Sequence, residues 1–549
     1  MTNNKANNFF SKFISKEDAQ RYLPVFWGHG PFPAELETKL NALKLSNEEM
    51  IPMASGVPSK ELFSVKNITI NHTLQLGNEN VSVPNENVNI NTYHIGDDKF
   101  SKQQESEKHS YNSNVAIESV FEYSDNTYGS DSTIDLYNKL IDKFNYFKGN
   151  EVNRDNYDIV ITSGTSASCF YLTQLLCDED KTILIEEFTY PVIVANVSMT
   201  KGHLAPFNLN LNASVDNGQN PIDIAYLENL LTNWSKIYPN KPYPSVLYTI
   251  PIQNPTGLVQ SLEHRQEVYD LCKKFNVLII EDDPYGNILL TNQDKIEFED
   301  KLEEFNFEKE HYLNTLSSAA SYLSIDTEGI VIRCESASKI FAPGMRIGVI
   351  VANKFFIDRL KNIIDCSTRE ISGVSMTIFN ECCYGMDSLL ARQLGNNEIE
   401  HLDGWIQWCM NLSHRYKLRQ ETLINSLYKT KAYQKKLFTC IEPKFGMFLC
   451  IQLNLAKLKP ELLRSRIDME KGMQYMDYKL LENNVNAVVG SKLSLDPNHS
   501  FSKSGFIRVT VAQASDNKQL IEAGQKIGFA IEAFFNEYLT SNQEYNVLL

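Results

Sequence analysis

"GIVIRCESASKIFAPGMRIGVIVA", residues 329–352, joins two apolar, β-branched runs through a segment of opposite character. The runs "GIVIRC" and "IGVIVA" have the composition of strands buried on both faces. Between them lie Ser336, Ser338, Lys339 and Arg346, with an "APG" turn. A lysine held between two buried strands is either poorly solvated or in use, because an ammonium taken out of water is costly.

The same texture extends outward over residues 155–355, where short β-branched runs alternate with amphipathic stretches. The strand candidates "DIVITSG", "KTILIEE", "SVLYTIP" and "NVLIIED" precede the two runs above, and "SLEHRQEVYDLCKKFN" (261–276) is an intervening helix with Ser261 as its cap. This alternation predicts βα units around a mostly parallel sheet. From 402, "LDGWIQWCMNLSHRYKLRQETLINSLY" reads as a long helix leaving that sheet, followed by "FTCIEPKFGMFLCIQLNL", "NNVNAVVGS" and "FIRVTVA", the makeup of a smaller α+β domain. The expected division is residues 1–115, 116–395 and 396–549, the first packing with the last. A chain of 549 residues is too long for one ordinary core. The Asn-rich stretch 77–114 reads as a long insertion, and the acidic stretch 291–311 as a solvated excursion with some helix.

Composition narrows the function. Lys and Arg total 52 against 68 Asp and Glu, a net charge of −16, which disfavours a nucleic-acid binder. The 10 cysteines include no "CxxC" pair and no zinc-like spacing, so they read as reduced structural thiols and predict no metal site. The opening stretch has no signal-peptide core, and no run approaches membrane-spanning length; a cytoplasmic protein without membrane contact is expected.

In open parallel sheets, ligands collect at the carboxyl ends of the strands. After the first candidate strand, "TSGTSASCFYLTQLL" puts Gly164, Thr165 and Ser166 at a helix start, which suits either an anion or an ordinary helix cap. "EEFTYP" places Tyr190 at a loop mouth, a position open to core, rim or site, and "TIPIQNPTG" presents Asn254 from a rigid turn. "IIEDDPYGN" sets Asp282 at a strand end, where a carboxylate is costly unless something cationic meets it. Ser336 offers a hydroxyl, Arg346 a fork for phosphate oxygens, and Lys339 an amine whose pKa falls easily in a dry site. A phosphorylated aromatic aldehyde with a protonatable ring nitrogen, pyridoxal phosphate, needs all these parts together.

With "NPTG", "DDPYG" and "SASKIFAPGMRIG" in this order, the sequence resembles the class I/II aminotransferases, pyridoxal-phosphate enzymes of the aspartate aminotransferase fold. "IEEFTYP", "NWSKIYPNKPYPSVLYTI" and "DNKQLIEAGQKIG" resemble the subgroup of fungal aromatic amino acid and 2-aminoadipate (kynurenine) aminotransferases. The resemblance implies a three-layer αβα large domain with a mostly parallel seven-stranded sheet, plus a smaller α+β domain. It implies that Lys339 forms the Schiff base with pyridoxal 5'-phosphate and that Asp282 pairs with the ring nitrogen. It further implies that Asn254 and Tyr285 bond the ring's phenolic oxygen, Tyr190 stacks on the ring, and Thr165, Ser166, Ser336, Ser338 and Arg346 hold the phosphate. Tyr123, in "VFEYS", matches a tyrosine reaching the neighbouring subunit's phosphate, so a homodimer is expected. Arg508 matches the substrate carboxylate grip, Gly56 of "ASG" a substrate loop, and Phe448 of "FGMF" either a substrate contact or core. "PIQNPTG" is one residue shorter than the subgroup's usual loop.

The expected reaction is transamination of phenylalanine, tyrosine or tryptophan with 2-oxoglutarate, phenylpyruvate or pyruvate as acceptor. Transamination of 2-aminoadipate in lysine metabolism is the alternative, because side-chain selectivity is a matter of pocket shape. A non-enzymatic regulator or scaffold on the same fold is the remote one.

Overall fold

The structure, a computed structural model, describes residues 63–74, 76, 90–96, 110–112, 115–123, 126–147, 152–214, 217–290, 302–396, 398–458 and 465–538. Most of the Asn-rich insertion lies outside them. Its described parts contribute to a small sheet of β1 (Asn67–Thr73), β2 (Ile90–Gly96) and β3 (Ser110–Asn112).

The central sheet has seven strands: β4 (Tyr157–Thr162), β5 (Thr182–Glu186), β6 (His203–Phe207), β7 (Pro244–Thr249), β8 (Leu278–Asp282), β9 (Val331–Ser336) and β10 (Gly348–Asn353). Their order is β4-β10-β9-β8-β7-β5-β6, and β10 runs antiparallel to both neighbours. Every residue of β5, β7, β8, β9 and β10 is buried, as continuous β-branched runs require. Six strands coincide with the runs identified in the sequence. The seventh, β6, "HLAPF", was not among them, and Pro206 explains the omission. Proline cannot donate to a ladder and belongs at a sheet edge, and β6 is outermost, paired only with β5.

The reversal of β10 places the site. Segment 337–347 leaves the carboxyl end of β9 and re-enters the sheet beside it, so Lys339 and Arg346 emerge on one rim with the carboxyl ends of β4, β7 and β8. Helix α1 (Thr165–Leu176) starts at that rim behind β4. Helix α2 (Leu262–Lys274) begins as expected: Ser261 Oγ accepts from His264 N, and His264 Nδ1 accepts from Ser261 N, both at 3.3 Å.

Helix α3 (Gly373–Leu394) packs on α4 (Asp403–Tyr428), the long helix expected from 402. Beyond it, β11 (Phe438–Ile441), β12 (Phe448–Leu453), β13 (Val488–Val489) and β14 (Phe506–Thr510) form an antiparallel sheet in the order β11-β12-β14-β13, with a core of its own. Helix α5 (Arg466–Glu482) packs on that sheet.

Two expectations change. Residues 1–115 were expected to pack with the C-terminal part; of the described ones, Leu74 O does accept from Asn411 Nδ2 of α4 at 3.0 Å, but Ile70 and Ile95 pack with Cys382 of α3, and Asn91 Nδ2 donates to Gly385 O at 2.8 Å. Gly385 permits this approach, since a Cβ there would stand 2.6 Å from His72 Nε2. The acidic stretch 291–311 was expected to be a solvated excursion with some helix; the helix is present as 302–316, running beyond the stretch, but it buries Phe305 and Tyr312 and sends Lys309 to Asp403 at 2.9 Å. Its apolar face was hidden by the surrounding Glu and Lys. Among the described residues, no helix is long and apolar enough to cross a membrane.

Candidate active site

Twelve of the side chains singled out in the sequence line one cavity of about 540 Å³: Thr165, Ser166, Tyr190, Asn254, Asp282, Tyr285, Ser336, Ser338, Lys339, Arg346, Phe448 and Arg508. Tyr123 is not among them; it is 65% exposed, with the Arg369 guanidinium 5.6 Å from its ring. Gly56 lies outside the described residues.

One end of the cavity is built for an anion. The N-cap of α1 is Gly164, at φ 93°, and no side chain caps the helix, so the cap alternative for Thr165 and Ser166 does not hold. Thr165 and Ser166, the first residues of α1, line the cavity at the helix end whose amides lack intrahelical acceptors. Arg346, in the left-handed region at φ 53°, donates to Ser163 O and, through Nη1, to Ser338 Oγ at 3.3 Å and Pro343 O at 3.1 Å. Ser336 Oγ donates to Ser338 Oγ at 2.8 Å. Only glycine fits at 164, because its φ is positive and a Cβ would lie 2.9 Å from Arg346 Nη2.

The middle is organised around Asp282, which is 3% exposed. Its Oδ2 accepts from Tyr248 Oη at 2.5 Å, while buried Oδ1 has no partner among the described residues. Burial pushes the carboxyl up to about 7; the Tyr248 hydrogen bond opposes this, Asp283 adds to it and Arg333 opposes it. Among the described residues no cationic side chain pairs with Asp282; the nearby Arg333 serves its sequence neighbours, with Nη1 2.9 Å from Glu281 Oε1 and 3.0 Å from Asp283 Oδ2. A buried carboxylate with an open lone pair therefore faces the cavity, which suits a protonated ring nitrogen.

The loop carrying Asn254 is fixed from beneath by buried Glu186, which accepts from Thr249 Oγ1 at 2.6 Å, Ile250 N at 3.0 Å and Gln253 Nε2 at 3.1 Å. Burial pushes Glu186 up to about 7. Tyr190 Oη lies 3.2 Å from Ser166 Oγ.

At the other end, burial lowers the Lys339 amine, and the nearby Arg346 and Arg508 charges lower it further. Arg508 Nη1 donates to Asn254 Oδ1 at 2.9 Å, and its guanidinium lies 4.8 Å from the Phe448 ring centre. Phe448 also meets Tyr285 edge to face at 5.6 Å. Phe448 is thus half-buried in the cavity wall rather than core. Tyr248 and Lys492 escaped the sequence reading. Tyr248 is one aromatic inside a buried strand run, and Lys492 follows a polar Asn-rich turn; neither bears a local mark of a site.

The aminotransferase class I and II family model matches residues 87–524. The chain is 33% identical to aromatic amino acid aminotransferase 2 of Saccharomyces cerevisiae over 96% of both chains. It is 30% identical over 304 residues to the L-tyrosine:2-oxoglutarate aminotransferase amt1 of Serpula lacrymans, covering 55% of this chain and 52% of that one. The crystal structure of the aromatic aminotransferase Aro9 from C. albicans superposes with a TM-score of 0.73 at 28% identity, over 96% of this chain and 99% of that one. The chain belongs to the class I and II aminotransferase family, and its cofactor is pyridoxal 5'-phosphate.

Proposed function

We propose that this class I and II aminotransferase transfers the amino group of phenylalanine, tyrosine or tryptophan to a 2-oxo acid such as 2-oxoglutarate, phenylpyruvate or pyruvate. One observation carries the reading: a single cavity joins an anion cradle, an open buried carboxylate, a lysine and an arginine to a wall of Phe448, Ile250, Val488 and Leu493. The likeness to aromatic aminotransferases over nearly the whole chain supports the substrate class.

The residues present fit pyridoxal 5'-phosphate. Thr165, Ser166, Ser336, Ser338 and Arg346 would hold its phosphate, Asp282 Oδ1 its ring nitrogen, Asn254 and Tyr285 its phenolic oxygen, Tyr190 its ring face, and Lys339 its aldehyde carbon. When bound, the cofactor supplies a cationic ring that withdraws electrons from substrate Cα. Arg508 grips the substrate α-carboxylate through its fork, with Asn254 holding the guanidinium in place. That grip would hold substrate Cα in the cavity that Lys339 also lines. Lys339 Nζ, kept weakly basic by burial and two guanidiniums, would take the proton from substrate Cα and deliver it to the cofactor's aldehyde carbon, the shift that leaves the amino group on the cofactor. Asp282, ionised once an N–H donor met Oδ1, would keep the ring nitrogen protonated. We further propose a cytoplasmic homodimer in which exposed Tyr123, outside its own chain's cavity, serves the neighbouring subunit's phosphate site. The three-part domain division is retained, with the β1–β3 sheet joined to the central part.

The test is a set of half-reactions on purified protein, following the cofactor's visible absorbance as phenylalanine, tryptophan or 2-aminoadipate is added. Fast bleaching by the aromatic donors is expected. Bleaching by 2-aminoadipate alone overturns the aromatic assignment. Borohydride reduction and peptide mapping should place the pyridoxyl label on Lys339, and Lys339→Ala should abolish turnover.

A further inference from the structure

Among the described residues, the cavity lining carries four cationic side chains, Lys339, Arg346, Lys492 and Arg508, against one carboxylate, Asp282. On the reading above, the cofactor engages Lys339 and Arg346, and the substrate α-carboxylate engages Arg508. Lys492 is left over. Its position is built into the fold. It lies in the 490–493 turn directly after β13, whose Val488 stands in register with Arg508. The turn is tied to the Tyr190 loop, with Thr189 N donating to Leu493 O at 3.2 Å and Leu495 N to Glu187 O at 2.9 Å. Gly490 lets it pass close to Ser504, whose carbonyl oxygen would lie 2.4 Å from a Cβ. Lys492 Nζ is 2.8 Å from Oδ2 of Asp477, a residue of α5 whose side chain is 8% exposed against 41% for the lysine.

We infer that Lys492 binds the distal carboxylate of a dicarboxylic substrate, the acidic 2-oxo acid acceptor or an amino acid of the same shape. This rests on the aminotransferase reading of the cavity. An enzyme that uses one pocket for an aromatic and for an acidic side chain must offer a cation to the second without stranding that cation beside the first. Asp477 meets the requirement. An ammonium has three donors and Asp477 engages one face of it, leaving donors for a substrate carboxylate. With an aromatic ring against Val488, Leu493 and Phe448, the lysine stays paired to Asp477, and no unpaired charge is trapped against the ring.

The experiment compares acceptors at a saturating aromatic donor. Lys492→Met should raise KM for 2-oxoglutarate by about tenfold or more, the value of one charge-assisted hydrogen bond. KM for phenylpyruvate should change several-fold less than KM for 2-oxoglutarate, because that substrate loses no charged contact of its own, so the ratio of kcat/KM for the two acceptors shifts toward phenylpyruvate. Lys492→Arg should recover most of the 2-oxoglutarate affinity. Asp477→Asn should give the opposite split, weakening phenylpyruvate more than 2-oxoglutarate. Calorimetric binding of glutarate to the holoenzyme, weakened by Lys492→Met but not by Lys492→Arg, gives a readout independent of turnover. Equal effects on both acceptors, or unchanged glutarate binding, overturn the assignment. If no aromatic donor reacts with any acceptor, the proposed substrate class fails, while the glutarate measurement still decides the role of Lys492.

Discussion

Tyr248 donates to Asp282 Oδ2 at 2.5 Å from the adjacent strand, so one oxygen of the carboxylate is engaged and the other is presented to the cavity. Both residues are buried. Tyr248→Phe should remove a hydrogen bond to a carboxylate worth about 1.5–3 kcal/mol. The Asp282 pKa should rise, because the tyrosine is the larger of the two influences, with Arg333, that oppose burial there. Turnover should fall by roughly tenfold, and by roughly 10²–10³-fold in Asp282→Asn, where the charge itself is lost. Rapid-mixing kinetics with a single aromatic donor would check the ranking.

Arg508 touches Asn254 and Phe448 on two sides, so its fork is oriented before substrate arrives. Arg508→Gln should raise KM for every amino and oxo acid by roughly 10²-fold, as loss of a bidentate charged pair does, with a smaller fall in kcat. Asn254→Ala should raise KM less. A double-mutant cycle should show the two effects to be non-additive. Equal KM values for wild type and Arg508→Gln would remove Arg508 from the substrate grip.

Asp282 and Glu186 are pushed up from 3.8 and 4.5 to about 7 by burial. Between those limits the folded chain keeps both protons while the unfolded chain releases them. Stability of the cofactor-free protein should therefore fall as pH rises from about 4.5 to 7 and level off above that. Glu187, Asp326 and Glu335 are raised by burial as well and act in the same direction. Asp282→Asn and Glu186→Gln should each flatten the dependence of the melting midpoint on pH. Bound cofactor should flatten it too, by holding Asp282 ionised.

Gly164→Ala places a Cβ against Arg346 at a φ that L-residues rarely adopt. The strain should cost about 1–3 kcal/mol of stability. Displacement of Arg346 should weaken cofactor retention on dialysis more than it weakens substrate binding.

The sequence exposed what its local chemistry marks. Six central strands are continuous β-branched runs, and the rim residues fall in loops whose Pro, Gly and Asn content ordinary strand ends do not need. Residues whose meaning comes from a distant partner stayed hidden. Glu186 reads as the end of a strand until it is seen bonding Thr249, Ile250 and Gln253, and Arg333 until Glu281 and Asp283 are placed beside it. β6 was concealed by Pro206, and Lys492 by a turn whose neighbour on α5 is 15 residues away. The packing of β1–β3 on α3 depends on Gly385, a residue that contributes no side chain.

The backward-running β10 has a kinetic consequence. Its ladders to β4 and β9, Gly348 with Thr162 and with Ser336, consist of main-chain bonds that need no ligand to form. The dock for the coenzyme's anionic tail is thus assembled by the same zippering that completes the sheet. Stripped enzyme should recapture its coenzyme in one bimolecular phase whose rate rises in proportion to coenzyme concentration, with no slow refolding lag.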